Sequence, residues 1–130
     1  MIQDTTFIID LLHGDEDAEA LLELIEKEAR PQKVSSVTVL ELYEGVVRWS
    51  RSSTTREQII DVLESKSVVN ADDAVMRKAG KISGELINQG SRIDREDCII
   101  AASALLNDEA VVTRNVEHFE RIDGVEVRSY

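Results

Sequence analysis

Short apolar runs alternate with longer helical repeats along the whole chain. The runs of strand character are 1–3, 33–37, 67–70, 110–113 and 125–128. Between them, apolar residues recur at intervals of three and four, which predicts helices at 7–12, 15–29, 38–49, 56–63, 72–88, from Asp94 onward and at 116–122. Pro31 ends the second helix and Gly90 the fifth. Strands separated by helices predict an α/β fold, with a mostly parallel central sheet flanked by helices on both faces.

Composition limits the architecture to one domain over residues 1–130, because 130 residues with 42% apolar content suffice for a single core. No apolar run is long enough to cross a bilayer, and the first residues lack the pattern of a signal peptide. Cys98 is the only cysteine and lies in an apolar run. A cytoplasmic protein without disulfides and without membrane contact is therefore expected.

The charge is strongly acidic, with 26 acidic against 15 basic residues and a formal net charge of −11. Such a charge disfavours non-specific binding to nucleic acids and anionic membranes, and it is also typical of adaptation to high salt. Binding of RNA would require local cations. Arg48 and Arg51 beside Trp49, together with Arg114, are the candidates. The alternative is that Trp49 packs in a core or interface and that the arginines neutralise neighbouring acids.

Acidic residues recur at the ends of predicted strands and the starts of predicted helices. Asp4 follows the first strand, while Glu41 and Asp97 lie on the first turns of two helices. The carboxyl ends of parallel strands are where sites form in open sheets, so these groups are expected to converge. Oxygen ligands select Mg²⁺ or Mn²⁺, and a zinc site is disfavoured with two histidines and one cysteine. Of these histidines, His118 is interpreted as structural or exposed.

Each acid also has a purely structural interpretation. Asp94 and Asp97 fit the cap and first turn of a helix, and Asp4 fits the start of another. The segment T38-V-L-E41 matches a capping box, with Thr38 as the cap. The recurrence of an acid at three separate helix starts favours a site.

Four segments resemble the PIN domain family, and in particular its VapC-type toxins. In chain order they are D4-T-T-F-I-I-D-L-L, S36-V-T-V-L-E-L-Y-E-G45, I93-D-R-E-D-C-I-I-A-A-S-A-L and V111-V-T-R-N-V-E-H-F-E-R-I122. Their order and spacing fit over essentially the whole chain. The resemblance implies a PIN-like fold and an Mg²⁺- or Mn²⁺-dependent endoribonuclease, typically the toxin of a toxin–antitoxin pair, that leaves a 5′-phosphate and a 3′-hydroxyl.

The resemblance also implies roles for individual residues. Asp4, Glu41 and Asp97 match the first three acidic positions of the family, and Asn115 stands at the fourth, where Glu117 could supply the missing charge. Thr113 matches the hydroxyl residue that usually lines the site in the family, and Thr6, also expected to line it, stands where serine or asparagine is commoner. Expected partners are RNA, an antitoxin that covers the site and a second copy of the chain. The apolar residues that could serve protein contacts, or else the core, are Phe7, Ile8, Leu11, Leu42 and Val46.

One other class of protein remains open from the sequence, and two more are disfavoured by it. The amide at Asn115 also fits a catalytically degenerate PIN-like binding module that acts through protein partners. A dehalogenase-type phosphatase would need an aspartate two residues after Asp4, where Thr6 stands, and a receiver domain would need a late lysine that is missing after 125–128.

Overall fold

Five short strands form one parallel sheet at the centre of the molecule. The computed structural model describes residues 1–49 and 53–130. The strands are β1 (Ile2–Gln3), β2 (Lys33–Ser35), β3 (Ser67–Val69), β4 (Val111–Val112) and β5 (Val127–Arg128). Their order across the sheet is β3-β2-β1-β4-β5, and every neighbouring pair is parallel. The predicted parallel α/β fold is confirmed.

The helices fall close to the predicted positions, but several begin earlier. They are α1 (Thr5–Leu12), α2 (Glu16–Lys27), α3 (Ser36–Trp49), α4 (Ser53–Glu64), α5 (Asp73–Asn88), α6 (Arg95–Leu106) and α7 (Val116–Glu120). The prediction that the second strand extends to Val37 is wrong, because α3 begins at Ser36. The Ser36 hydroxyl bonds to the end of β3 instead, at 3.2 Å from the Val69 carbonyl oxygen and 2.9 Å from the Ala71 amide nitrogen.

Side chains on the two faces of the sheet enter different parts of the core, as the alternation along a strand requires. Ile2 and Val111 pack in a cluster with α5, α6 and α7. Met1 and Val112 pack on the opposite face with α1 and α2, and Val34 joins α3 and α4 there. Helices therefore cover both faces.

The connection from α5 to α6 sets the position of Asp97. Gly90 adopts φ +70° after the last turn of α5, and the Ser91 amide donates to the Leu86 carbonyl oxygen at 2.8 Å. This is the Schellman arrangement that a glycine favours at a helix end. The chain then turns into α6, which begins at Arg95 and is buried almost continuously from Asp97 to Ala104. Its alanines allow the close packing of α5 along α6.

The apolar residues considered for protein contacts are mostly core residues of the chain itself. Phe7, Ile8, Leu42 and Val46 are buried, and Leu11 is half-buried against the same core. Within residues 1–49 and 53–130, no helix combines the length and apolar character required to cross a membrane.

Candidate active site

The candidate site lies at the carboxyl edge of the sheet, beside its central strand. β1 pairs with β2 on one side and with β4 on the other, so the chain order reverses there. Loops diverge at such a point and leave a crevice, which is where open parallel sheets bind ligands. Asp4 follows β1 directly and Thr113 follows β4 directly. Glu41 on α3 and Asp97 on α6 approach from the neighbouring helices.

The Asp4 carboxylate is held by two threonine hydroxyls. It is 2% exposed, and its Oδ2 accepts hydrogen bonds from Thr113 Oγ1 at 2.7 Å and Thr6 Oγ1 at 2.9 Å. The Thr113 hydroxyl in turn accepts a hydrogen bond from the backbone N–H of Asn115 at 2.9 Å. Asp4 is the N-cap residue of α1, but its side chain makes no capping hydrogen bond. Helix initiation alone therefore does not account for this carboxylate.

The Glu41 carboxylate is oriented by Thr5 from the first turn of α1. Glu41 is the sixth residue of α3, so the prediction that it lies on the first turn is wrong, and Thr38 is not the cap of that helix. Thr5 Oγ1 lies 2.8 Å from Glu41 Oε1 and 3.0 Å from Thr38 Oγ1. A hydroxyl carries one proton, so Thr5 donates to Glu41 and accepts from Thr38. The carboxylate does not reach back to cap its own helix.

Asp97 is the third residue of α6, as predicted, and it contacts His118. Nδ1 of His118 lies 2.7 Å from Asp97 Oδ2, and the imidazole side chain is 36% exposed. Asp94 is the N-cap residue of α6, but its side chain makes no capping hydrogen bond. His118 was interpreted from the sequence as structural or exposed, and the structure places it beside the site. Its position one helical turn after Asn115 was the available signal.

Burial raises the pKa of all three carboxyl groups. For Asp4, burial is the largest effect, and the Thr113 and Thr6 hydroxyls lower its pKa in part. For Glu41, burial is followed by the Thr5 hydrogen bond, which lowers the pKa, and by the charges of Asp4 and Asp97, which raise it. For Asp97, burial raises the pKa, the His118 hydrogen bond lowers it, and the Asp4 charge raises it again. The three groups are therefore close enough to repel one another.

The donor set fits a hard divalent cation. Among residues 1–49 and 53–130, no Lys or Arg forms an ion pair with any of the three carboxylates. In the same part of the chain, no three His, Cys, Asp or Glu side chains are already arranged to hold one metal ion. Each of the three carboxylates instead contacts a hydroxyl or an imidazole. Three partly buried, mutually repelling carboxylates would nevertheless be stabilised by a cation between them, and oxygen ligands suit Mg²⁺ and Mn²⁺.

The other predicted residues occupy different surroundings. Glu117 is 83% exposed and forms an ion pair with Arg121 at 3.0 Å, so its charge is directed away from the three carboxylates. Asn115 is half-buried at the N-cap of α7, where its side chain makes no capping hydrogen bond. Arg48 is exposed near the end of α3. Arg51 and the side chain of Trp49 lie outside the described residues.

A second polar cluster, which the sequence did not predict, adjoins the site. Asp10 is 7% exposed, and Arg114 Nη1 lies 3.2 Å from both of its carboxylate oxygens. The Tyr130 hydroxyl donates to Asp10 Oδ2, and its ring meets Phe7 edge-on with centroids 5.2 Å apart. Burial, together with Asp10, raises the pKa of Tyr130. This cluster fixes one end of the Arg114 guanidinium, whose side chain is 58% exposed, next to Thr113.

Comparison with known proteins identifies the class. The PIN domain model matches residues 1–125, so this chain belongs to the PIN domain family. Among its relatives, ribonuclease VapC2 of Haemophilus influenzae is 30% identical over 97 residues, which cover 75% of this chain and 74% of the relative. The tRNA(fMet)-specific endonuclease VapC of Shigella flexneri is 29% identical over 97 residues, with the same coverage. The resemblance seen in the sequence is thus confirmed.

The fold also matches solved structures of such proteins. VapBC2 from Rickettsia felis, solved with a DNA fragment from its promoter, superposes with a TM-score of 0.88 over 99% of this chain and 97% of that one. The sequences are 21% identical, so this likeness concerns the fold alone.

Proposed function

We propose that the protein is an Mg²⁺- or Mn²⁺-dependent endoribonuclease and the toxin of a VapBC-type toxin–antitoxin pair. The observation that carries the proposal is the group of Asp4, Glu41 and Asp97 at the carboxyl edge of β1, where burial and neighbouring acidic charge raise the pKa of the latter two. Such clustered, perturbed carboxylates are typical of functional sites. Membership of the PIN domain family and the VapC relatives support the same activity.

The residues of the site have separate tasks in RNA hydrolysis. A divalent ion held by Asp4, Glu41 and Asp97 would supply an activated water and neutralise the charge that develops on the phosphate. Thr113 and Thr6 fix the Asp4 carboxylate, and this leaves Oδ1 without a threonine partner. Thr5 fixes Glu41 in the same way. The family resemblance implies a 5′-phosphate and a 3′-hydroxyl as products.

The substrate we propose is RNA, bound through Arg114. A net charge of −11 opposes binding of a polyanion, so local cations must hold the phosphates. Asp10 contacts only one Nη of Arg114, which leaves further N–H donors for a phosphate beside the carboxylates. Transfer RNA is the first substrate to test, since one relative is named for tRNA(fMet).

We further propose two protein partners. An apolar groove of about 490 Å³ lies between α1, α3 and α4, and its lining includes Ile9, Leu12 and Leu42, the residue that follows Glu41 in the chain. An antitoxin segment would bind there and cover the site. Leu40, Tyr43 and Val47 form an exposed apolar row on α3, and we assign them to contacts with a second copy of the chain. Both partners would be met in the cytoplasm.

The matched pair Asp97→Asn and Asp94→Asn tests the proposal. The Asp94 side chain makes no capping bond and is exposed, so Asp94→Asn should preserve both Mn²⁺ binding and cleavage. Asp97→Asn should preserve the fold, measured by circular dichroism, and lose both. Calorimetry with Mn²⁺ and cleavage of purified tRNA in Mn²⁺ against EDTA provide the measurements.

Two results would contradict the proposal. One is undiminished cleavage by Asp97→Asn. The other is a folded wild-type protein that binds no Mn²⁺, which would favour a binding module that acts through its partners.

A further inference from the structure

We propose that His118 supplies a nitrogen ligand to the cation bound at this site, and that the site therefore prefers Mn²⁺ to Mg²⁺. The inference rests on the proposed metal-dependent function and deepens it. It concerns a residue that lies outside the acidic positions of the family resemblance. Imidazole is a common ligand of transition metals, whereas Mg²⁺ strongly prefers oxygen.

The first observation is the contact between His118 and Asp97. A separation of 2.7 Å between Nδ1 and Oδ2 means that one proton is shared between a nitrogen and an oxygen that face each other. Two ligands on adjacent positions of an octahedral ion, with bonds of roughly 2.1 Å, are about 3 Å apart. For both atoms to bind one ion in place of the proton, they would have to move apart by a few tenths of an ångström, and the imidazole and carboxylate would have to rotate so that both lone pairs point at the ion.

The second observation is that His118 acts on Asp4 as well as on Asp97. The pKa of Asp97 is lowered by its hydrogen bond with His118, and the pKa of Asp4 is lowered electrostatically by the same residue, as the smallest of the effects on that carboxyl group. The two carboxylates come from different elements, one after β1 and one on α6. The effect on Asp4 agrees with the position that the contact with Asp97 gives the imidazole.

The third observation concerns the other donors on the segment from β4 to α7. The acid expected at the fourth family position is the amide Asn115, and the Glu117 carboxylate pairs with Arg121 on the exposed side. Adjacent helical residues point about 100° apart, and here Glu117 is exposed whereas His118 is partly buried and contacts Asp97. His118 also borders a polar cleft with Arg92 and Glu96, so one side of its ring is open to solvent.

Electron spin-echo spectroscopy of Mn²⁺ bound to the full-length chain tests the proposal directly. The chain contains only two histidines, His13 and His118, so a coupling to a coordinated imidazole nitrogen can be assigned with two variants. Wild type should show the coupling, His13→Gln should keep it, and His118→Asp should lose it. His13 is the exposed C-cap residue of α1 and serves as the matched control.

Metal selectivity provides the second measurement. His118→Asp replaces the nitrogen with oxygen donors and should retain Mg²⁺ binding. The ratio of Mn²⁺ to Mg²⁺ affinity, measured by calorimetry, should fall by about tenfold or more, the effect expected when a group that orients or completes a metal site is changed.

Two outcomes overturn the inference but leave the nuclease proposal standing: Asp97-dependent Mn²⁺ binding without a nitrogen coupling in wild type, or an unchanged affinity ratio in His118→Asp. Absence of any Mn²⁺ binding by folded wild type overturns both proposals.

Discussion

The Thr113→Val substitution isolates the contribution of one buried hydroxyl to the site. Thr113 is fully buried. Its hydroxyl donates to Asp4 Oδ2 at 2.7 Å and accepts from the backbone N–H of Asn115 at 2.9 Å. Valine keeps the shape of threonine, so the change removes two hydrogen bonds without opening a cavity. The effect on stability therefore reports on these bonds and not on packing.

The expected loss follows from the partners of the hydroxyl. A hydrogen bond to a charged group contributes about 1.5–3 kcal/mol, and an amide left without a partner costs about 1–3 kcal/mol. Because Asn115 is only half-buried, water can replace part of the second bond. We expect the free energy of unfolding to fall by about 2–4 kcal/mol. For 130 residues, each kcal/mol corresponds to roughly 4 °C in Tm.

The loss should also depend on pH, with a sign fixed by Asp4. Burial raises its folded-state pKa above the ordinary value of 3.8, and the Thr113 hydroxyl lowers it in part. Between the ordinary pKa of the unfolded chain and the higher pKa of the folded state, the folded protein binds more protons than the unfolded chain does. Stability therefore falls as pH rises through that window. Thr113→Val raises the folded-state pKa further. The stability difference between wild type and variant is complete above both folded-state pKa values and shrinks as pH falls through them.

Urea unfolding in EDTA at several pH values measures both effects. Thr113→Ser is the control, because it keeps the hydroxyl and loses one methyl group, at a cost of about 1 kcal/mol. A valine variant within about 0.5 kcal/mol of wild type, or a loss that is independent of pH, would refute this account of the site.

Three further predictions concern the remaining parts of the molecule. Glu41→Gln should abolish cleavage yet stabilise the metal-free protein in urea unfolding, because it removes a carboxylate whose pKa is raised by burial and by neighbouring acids; a destabilised variant would contradict this. Arg114→Gln should raise KM for RNA by about tenfold with kcat little changed, whereas Arg128→Gln, which breaks a peripheral ion pair with Glu28, should alter neither in the same cleavage assay. Val47→Glu should shift a dimer to a monomer in light scattering without loss of helicity, since this side chain is 83% exposed.

The order and type of the elements could be predicted because the helices leave a periodic pattern of apolar residues and short apolar runs lie between them. The bounds of the strands could not, since β1 and β4 have two residues each and are too short to show alternation. The early start of α3 depends on Ser36 bonding to the end of β3, which is 33 residues away in the chain. The residues around Ser36 do not indicate a contact with a residue so far away in the chain.

The site was predictable to the extent that its residues end a strand or start a helix. Asp4 and Asp97 satisfy that condition, and their assignment as metal ligands stays a prediction. His118 was missed because its partner Asp97 is 21 residues away, and Asp10 because its partner Tyr130 is 120 residues away. Whether Glu117 or His118 faces the three carboxylates depends on the rotation of the short helix α7 about its axis. Residue type alone does not determine that rotation.

The first turn of α1 links the two halves of the site. Thr5 holds Glu41 and the adjacent Thr6 holds Asp4, so a single rigid segment aligns carboxylates that come from different parts of the chain. The same helix carries Ile9 and Leu12 on the wall of the apolar groove. A ligand that tilts α1 from the groove would thus misalign both carboxylates without touching either one. We expect the groove to offer remote inhibition, visible as weaker Mn²⁺ binding when a groove-filling peptide is present, and unchanged Mn²⁺ affinity would exclude it.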